Sequence, residues 1–305
     1  MGFTIDIDTG GTFTDGLFTD GTVIKRVKVD TTPHDITVSW LTAMREGALK
    51  FGFPTLRDFM EQVDIVRWSN TTASNIIAEK KGPKIGLFVT EGYEDSLYSS
   101  LKDSPAFGRL VDQGNIEVVS LPMEGAALVL QLKKLLEKGV RRICISLKDG
   151  LKNLKDEIQL KDIFEEQYPD HYLGNVPFLS AGDICKHPDD MTRTHVALMN
   201  SYVHDAMARA MFKAEDDLRE RGYLGTLLLG QIDGGVARVA KTKPVDTIES
   251  GPIFGLHAGA FWADKYKLEN VITLDVGGTT TKVGVLENFR PAMVREGSIL
   301  NIPLK

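Results

Sequence analysis

Apolar and polar residues alternate from the start of the chain. "FTIDID" (3–8) places every second side chain on an apolar face, "GLFT" (16–19) follows, and "TVIKRVKV" (22–29) comes after the turn pair Asp20-Gly21. This period of two predicts three short strands over residues 3–30, joined by tight turns. Pro33 and a capping Asp35 then open a helix through "ITVSWLTAMREGALKF", where the apolar spacing becomes helical. "VDIVRWSN" and "KIGLFVT" read as buried strands on either side of a helix "TTASNIIAEK". "GAALVLQLKKLLEKG" predicts a helix ending at Gly139, feeding the strand "VRRICISL". A long helix is expected from Pro188 to Arg221, then a strand and glycine turn in "YLGTLLLGQIDGGV" and a hairpin from "VITLDV" and "KVGVLE". Strands alternating with helices imply an α/β sheet. A boundary is expected within "SAGDICKHPDD", dividing the chain into residues 1–185 and 186–305.

Composition narrows the function classes. A chain of 305 residues accommodates one large or two medium domains with an ample core. The net charge of −6 argues against duplex nucleic acid or an anionic membrane as a partner. Cys144 and Cys185 are the only cysteines, which points to a reducing compartment without a disulfide framework. "MGFTIDID" has neither a basic leader nor a long apolar run, Gly2 does not open a myristoylation motif, and no run reaches membrane-spanning length. The expectation is a cytoplasmic globular protein.

One phrase occurs twice. Asp8, Gly10, Gly11, Thr12 and Thr14 of "IDIDTGGTFTDG" align with Asp275, Gly277, Gly278, Thr279 and Thr281 of "LDVGGTTTKVG", each copy behind an apolar strand that ends in Asp. Glycines allow positive φ and let backbone N–H groups approach an anion, while threonine hydroxyls add donors. An Asp beside a phosphate is best used on Mg²⁺, directly or through its waters. Two such loops would surround the tail of a triphosphate, with catalysis by positioning and charge stabilisation. A single copy reads equally well as a plain β-turn, but two copies sharing five positions do not. Neither a Walker-type phosphate loop nor a dinucleotide fingerprint is present.

The pair of hairpins resembles the actin/Hsp70/sugar-kinase superfamily and, within it, the hydantoinase A/5-oxoprolinase family. "DIDTGGTFTD", "SNTTASNIIAEKKGPKIGLFVTEGYED", "RTHVALMNSYV", "GQIDGGVARV", "ESGPIFGLHAGA" and "ITLDVGGTTTKVGV" follow that family's order over nearly the whole chain. The resemblance implies an α/β, ribonuclease H-like fold with two lobes around a nucleotide cleft, and ATP-dependent activation of an amide or ketone oxygen. It implies ATP and Mg²⁺ as cofactors. Asp8 and Asp275 would be catalytic and hold the metal. Gly10, Gly11, Thr12, Asp233, Gly234, Gly235, Gly277, Gly278, Thr279 and Thr280 would hold the nucleotide, with Ser250-Gly251-Pro252 as an anion site at a helix N-terminus. Asp15 and Asn75 are secondary candidates.

The implied function is an ATP-binding, phosphoryl-transferring subunit of an acetophenone-type ketone carboxylase, working with larger hydantoinase-type subunits on a ketone or cyclic amide. A small extra subunit of such a complex matches this chain in size. The alternatives are a structural or regulatory subunit without ATP turnover and a truncated hydantoinase or 5-oxoprolinase. Three departures stand out. Lys282 replaces the family's usual acid, "SNTT" lacks the usual His-Gly, and the glycine-rich adenosine segment of full-length members does not occur before "NIPLK". Under the subunit reading, an exposed apolar surface for further polypeptide is expected.

Other residues read as structural. His187, His195 and His204 near Cys185 lack metal-site spacing. Met191, Met199, Met207 and Met211 recur at helical spacing as core. Cys144 reads as a buried inert thiol, and "KDGLKNLKDE" (148–157) as a solvated face.

Overall fold

A computed structural model describes residues 2–99, 104–277, 281–292 and 297–304. In chain order the strands are β1 (Phe3–Thr9), β2 (Phe13–Thr19), β3 (Ile24–Asp30), β4 (Val63–Asn70), β5 (Ile85–Thr90), β6 (Ile116–Val119), β7 (Arg142–Ser146) and β8 (Phe178–Ser180). There follow β9 (Leu227–Gly230), β10 (Val236–Arg238), β11 (Asn270–Val276), β12 (Thr281–Glu287), β13 (Arg290–Pro291), β14 (Gly297–Ile299) and β15 (Ile302–Leu304). The helices are α1 (Ile36–Lys50), α2 (Leu56–Met60), α3 (Thr72–Ala78), α4 (Gly125–Glu137), α5 (Leu154–Gln167), α6 (Ala181–Ile184), α7 (Asp190–Glu220) and α8 (Ser250–Tyr266). The α/β fold class read from the sequence is the one observed. The expected helix starts and stops recur within a few residues: Asp35 caps α1 through Thr37 N (3.1 Å), and Gly139 follows α4 at φ +83°.

The chain divides into two compact units, residues 1–75 with 206–293 and residues 76–205 with 294–305. This differs from the single boundary expected at 185/186. Parallel pairing joins β4 to β9 across more than half the chain, so the first unit is discontinuous and contains both glycine hairpins.

The first unit holds a six-stranded sheet in the order β10-β9-β4-β1-β2-β3. Ile5, Ile7 and Phe18 on one face are buried, as are Trp40 and Met44 of α1. Trp40 stacks on Trp68 at 4.9 Å. A Cβ at Gly47 would lie 2.4 Å from the Phe18 ring, so glycine lets α1 sit close on the sheet. The β11-β12-β13 sheet packs against α8. Its other face carries Ile272, Leu274, Val276, Val283 and Val285, all 42–73% exposed, an apolar surface of the kind anticipated. By the internal alignment these positions correspond to Ile5, Ile7, Thr9, Gly16 and Phe18 of the first hairpin.

The second unit holds a parallel sheet, β6-β5-β7-β8. Leu128, Leu132 and Leu135 of α4 and Leu160 and Phe164 of α5 form one core with Phe88, Ile143 and Ile145. The solvated face expected over 148–157 needs one correction. Glu157 is fully buried and accepts hydrogen bonds from Leu147 N and Gly182 N (both 3.0 Å) and from the Ser180 hydroxyl. A carboxylate that satisfies three otherwise orphaned donors is stable inside. Cys144 is buried, and burial raises its thiol pKa. His195 bonds Ser104 Oγ (2.8 Å) and Met191 O (2.7 Å), and Met199, Met207 and Met211 are buried. Among the described residues no cluster of three or more potential metal ligands occurs.

Candidate functional site

The site begins with the alternation of β1. Ile5, Ile7 and Thr9 face the core, so Asp6 and Asp8 emerge together on the opposite face. Register extends each into a row across the sheet. Asp8 lies opposite Asp15 of β2 and beside Ser69 of β4, and Asp15 lies opposite Lys28 of β3. In the next row Asp6 is beside Arg67, and Leu17 is opposite Arg26. Arg67 grips Asp6 through Nε and Nη2 (2.5 and 2.9 Å), and Lys28 Nζ contacts both Asp15 oxygens at 2.8 Å.

This face forms one side of a cavity of about 860 Å³ within the first unit, inside the range of small-molecule sites. Gly251, Phe254, Gly255 and Ala258 of α8 form another side, and Asp275 of β11 also lines it. Asp8 and Asp275, far apart in sequence, therefore share one cavity. Ser69 Oγ donates to Asp8 Oδ1 at 2.6 Å, and a Cβ on Gly251 would lie 2.7 Å from that same oxygen. Glycine at the start of α8 thus permits the carboxylate's close approach. Burial raises the Asp8 pKa above the usual carboxylate range, opposed by Ser69 and reinforced by Asp15 and Asp275.

The predicted loop residues divide. Gly234 (φ +82°) and Gly235 line the cavity. Asp233 Oδ1 accepts from Gly235 N (2.8 Å), so its carboxylate closes the turn, and it does not line the cavity. Gly10, Gly11 and Thr12 form the tip between β1 and β2, just beyond Asp8, and do not line the cavity either. Gly10 does not adopt positive φ; its N–H closes the turn on Phe13 O (2.9 Å). Thr14 is buried and bonded to Ser39 (3.1 Å), a core role in place of an anion contact. Gly277 is exposed after Asp275, whereas Gly278, Thr279 and Thr280 lie outside the described residues. Of the secondary candidates, Asp15 lines the cavity and Asn75 does not.

Lys282 stands directly opposite Asp275 across β11–β12, and its Nζ pairs with Glu249 at 2.6 Å. Sequence reasoning missed Ser69, Arg67, Asp6, Arg26 and Phe254. Ser69 and Arg67 alternate along β4 as Asp8 and Asp6 do along β1, but only the register shows that they are partners.

Four carboxylates, Asp6, Asp8, Asp15 and Asp275, line the cavity against two guanidinium groups, Arg26 and Arg67. Asp6 and Asp15 are committed to cations, which leaves Asp8 and Asp275 available. The Arg26 side chain has no hydrogen-bond or ion-pair partner among the described residues.

Comparisons with known proteins identify the family. The hydantoinase/oxoprolinase N-terminal region model matches residues 4–168, and the hydantoinase/oxoprolinase model matches 193–305. The chain is 31% identical over 97% of its length to the acetophenone carboxylase gamma subunit of Aromatoleum aromaticum, covering 43% of that protein. It is 26% identical over 98% of its length to the caprolactamase subunit alpha of Pseudomonas jessenii, covering 45% of it. The chain therefore spans less than half the length of these relatives. The nucleotide-free structure of acetone carboxylase superposes with TM-score 0.88 at 21% identity, over all of this chain and 46% of that one. The ATP-dependent caprolactamase from Pseudomonas jessenii superposes with TM-score 0.78 at 26% identity, over 92% of this chain and 43% of that one. The chain belongs to the hydantoinase/oxoprolinase family.

Proposed function

We propose that the chain is the ATP-binding, phosphoryl-transferring part of a hydantoinase/oxoprolinase-type enzyme, in the setting of an acetophenone-type ketone carboxylase. The observation that carries this reading is the convergence of Asp8 and Asp275 on one cavity whose lining is net negative. A polyphosphate could enter such a lining only with a cation. Mg²⁺ suits it, because Mg²⁺ needs only one or two carboxylates, keeps several waters and takes the rest of its ligands from phosphate. Asp8 and Asp275 would hold it, where it would offset the charge of the phosphates.

Each of this chain's residues then has a task. Ser69 fixes the Asp8 carboxylate. Arg26 supplies a guanidinium for a phosphate oxygen, and the α8 face closes one side of the cavity against water. The reaction breaks the bond between the terminal phosphorus and ADP as a bond from a ketone, amide or bicarbonate oxygen to that phosphorus forms. Partner polypeptide of the hydantoinase type is part of the proposal. The relatives are named as subunits, and the exposed β11–β12 face offers a surface. No helix among the described residues is long and apolar enough to cross a membrane, and the setting we propose is cytoplasmic. A second reading, binding without turnover, is favoured by Lys282, a cation fixed opposite Asp275 by Glu249.

Calorimetric titration with ATP, with and without Mg²⁺, tests the proposal. The expected result is Mg²⁺-dependent binding that Asp8→Asn weakens at least about tenfold, or about 1.4 kcal/mol. Unaltered affinity in Asp8→Asn would refute it. Binding without ATPase activity in the presence of ketone and bicarbonate would select the second reading.

A further inference from the structure

A second, smaller cavity of about 190 Å³ lies within the other compact unit. It is bounded by the loop after α3, the turn over 108–115 and Tyr202 of α7. We propose that it is a binding site for a small oxyanion, a phosphate or short carboxylate, separate from the nucleotide reading above.

Charge is the first argument. Lys80, Lys84 and Arg109 line the cavity against one carboxylate, Asp112, a net excess of two positive charges. Lys80 Nζ spends one donor on Gly108 O (2.9 Å), tying the two loops together and retaining two more. The Arg109 guanidinium has no hydrogen-bond or ion-pair partner among the described residues, which leaves its planar fork free for a carboxylate or phosphate.

The second argument is the uncharged lining. Asn115 and Tyr202 are only 7% and 5% exposed, and neither side chain has a hydrogen-bond partner among the described residues. Their polar atoms are not among the sealed, unsatisfied ones, so the amide and the phenol are open to the water or ligand that fills the cavity. Donors from Arg109, Lys84, Asn115 and Tyr202 around one small volume suit the several lone pairs of an oxyanion. Size supports the same conclusion. At about 190 Å³ against about 860 Å³, the cavity is less than a quarter the size of the first and suits a phosphate or a short carboxylic acid better than a nucleotide.

The test is calorimetric titration of the full chain, separately with inorganic phosphate and with acetate, for the wild type, Arg109→Ala and Asn115→Leu. At least one anion is expected to bind below about 10 mM, with affinity at least about tenfold weaker in both variants. Which anion binds identifies the ligand class. Retained affinity in Asp8→Asn and in the presence of Mg²⁺ and ATP assigns the binding to this cavity. Circular dichroism checks folding, and Lys84→Glu, a charge reversal at an exposed rim position, serves if Arg109→Ala does not fold. Absence of binding by both anions overturns the proposal, as does binding that these variants leave unchanged.

Discussion

Replacing Ser69 by Ala removes a single hydroxyl, and its cost should depend on pH in a way that reports on Asp8. The Ser69 hydroxyl donates to Asp8 Oδ1 at 2.6 Å, a charge-assisted geometry, and hydrogen bonds to charged groups contribute about 1.5–3 kcal/mol. Ser69 is buried, whereas Asp8 keeps some exposure, so water recovers part of the loss and the lower half of that range is expected. A destabilisation of about 1.5 kcal/mol in a unit of this size lowers Tm by roughly 3–6 °C. Burial already raises the Asp8 pKa in the folded state, and deleting Ser69, which opposes that shift, raises it further. The bond favours the ionised carboxylate, so its contribution is complete above the folded pKa and fades as pH falls through that value and Asp8 takes up a proton. Thermal melts of the wild type and Ser69→Ala in a pH series that crosses the raised Asp8 pKa should therefore diverge at the alkaline end and converge at the acid end. A gap that is constant across pH would show that Ser69 acts through packing alone. A gap that widens toward acid would refute the assignment of the bond to the charged carboxylate.

Two further predictions concern the scaffold. Gly47→Ala would place a Cβ 2.4 Å from the Phe18 ring, and overpacking of this kind costs about 1–3 kcal/mol despite alanine's better helix propensity. Chemical denaturation should show a lower midpoint with an unchanged slope, and an equal or higher midpoint would contradict the close packing of α1. Glu157→Ala strips the acceptor from Leu147 N, Gly182 N and Ser180 Oγ, so a loss of at least about 3 kcal/mol is expected by the same method. A loss under about 1 kcal/mol would mean that water replaces the carboxylate.

Much of this protein was legible in local pattern. The alternation in "FTIDID" and the period of α1 and α4 named their elements, because side-chain spacing along one segment is a local property. Asp35 and Gly139 marked helix ends for the same reason: a cap and a left-handed residue act within one turn. The repeated Asp-x-Gly-Gly-Thr phrase singled out Asp8 and Asp275. Strands β6 and β8, at four and three residues, are too short to show a period, and α5 was obscured by the charged segment that opens it.

Tertiary structure decided the rest, because register, close approach and burial depend on residues distant in the chain. The sequence names Asp8, but the pairing of β1 with β4 assigns it Ser69, and α8 brings Gly251 against it. The sequence writes the phrase twice, but the pairing of β4 with β9 draws both copies into one compact unit, and the packing of α1 on β2 holds Thr14 inward against Ser39, away from any anion. Glu157 looks solvated beside its charged neighbours, yet three donors that converge only in the fold make its burial stable. Local spacing determined which elements form, and long-range pairing determined which of their side chains meet.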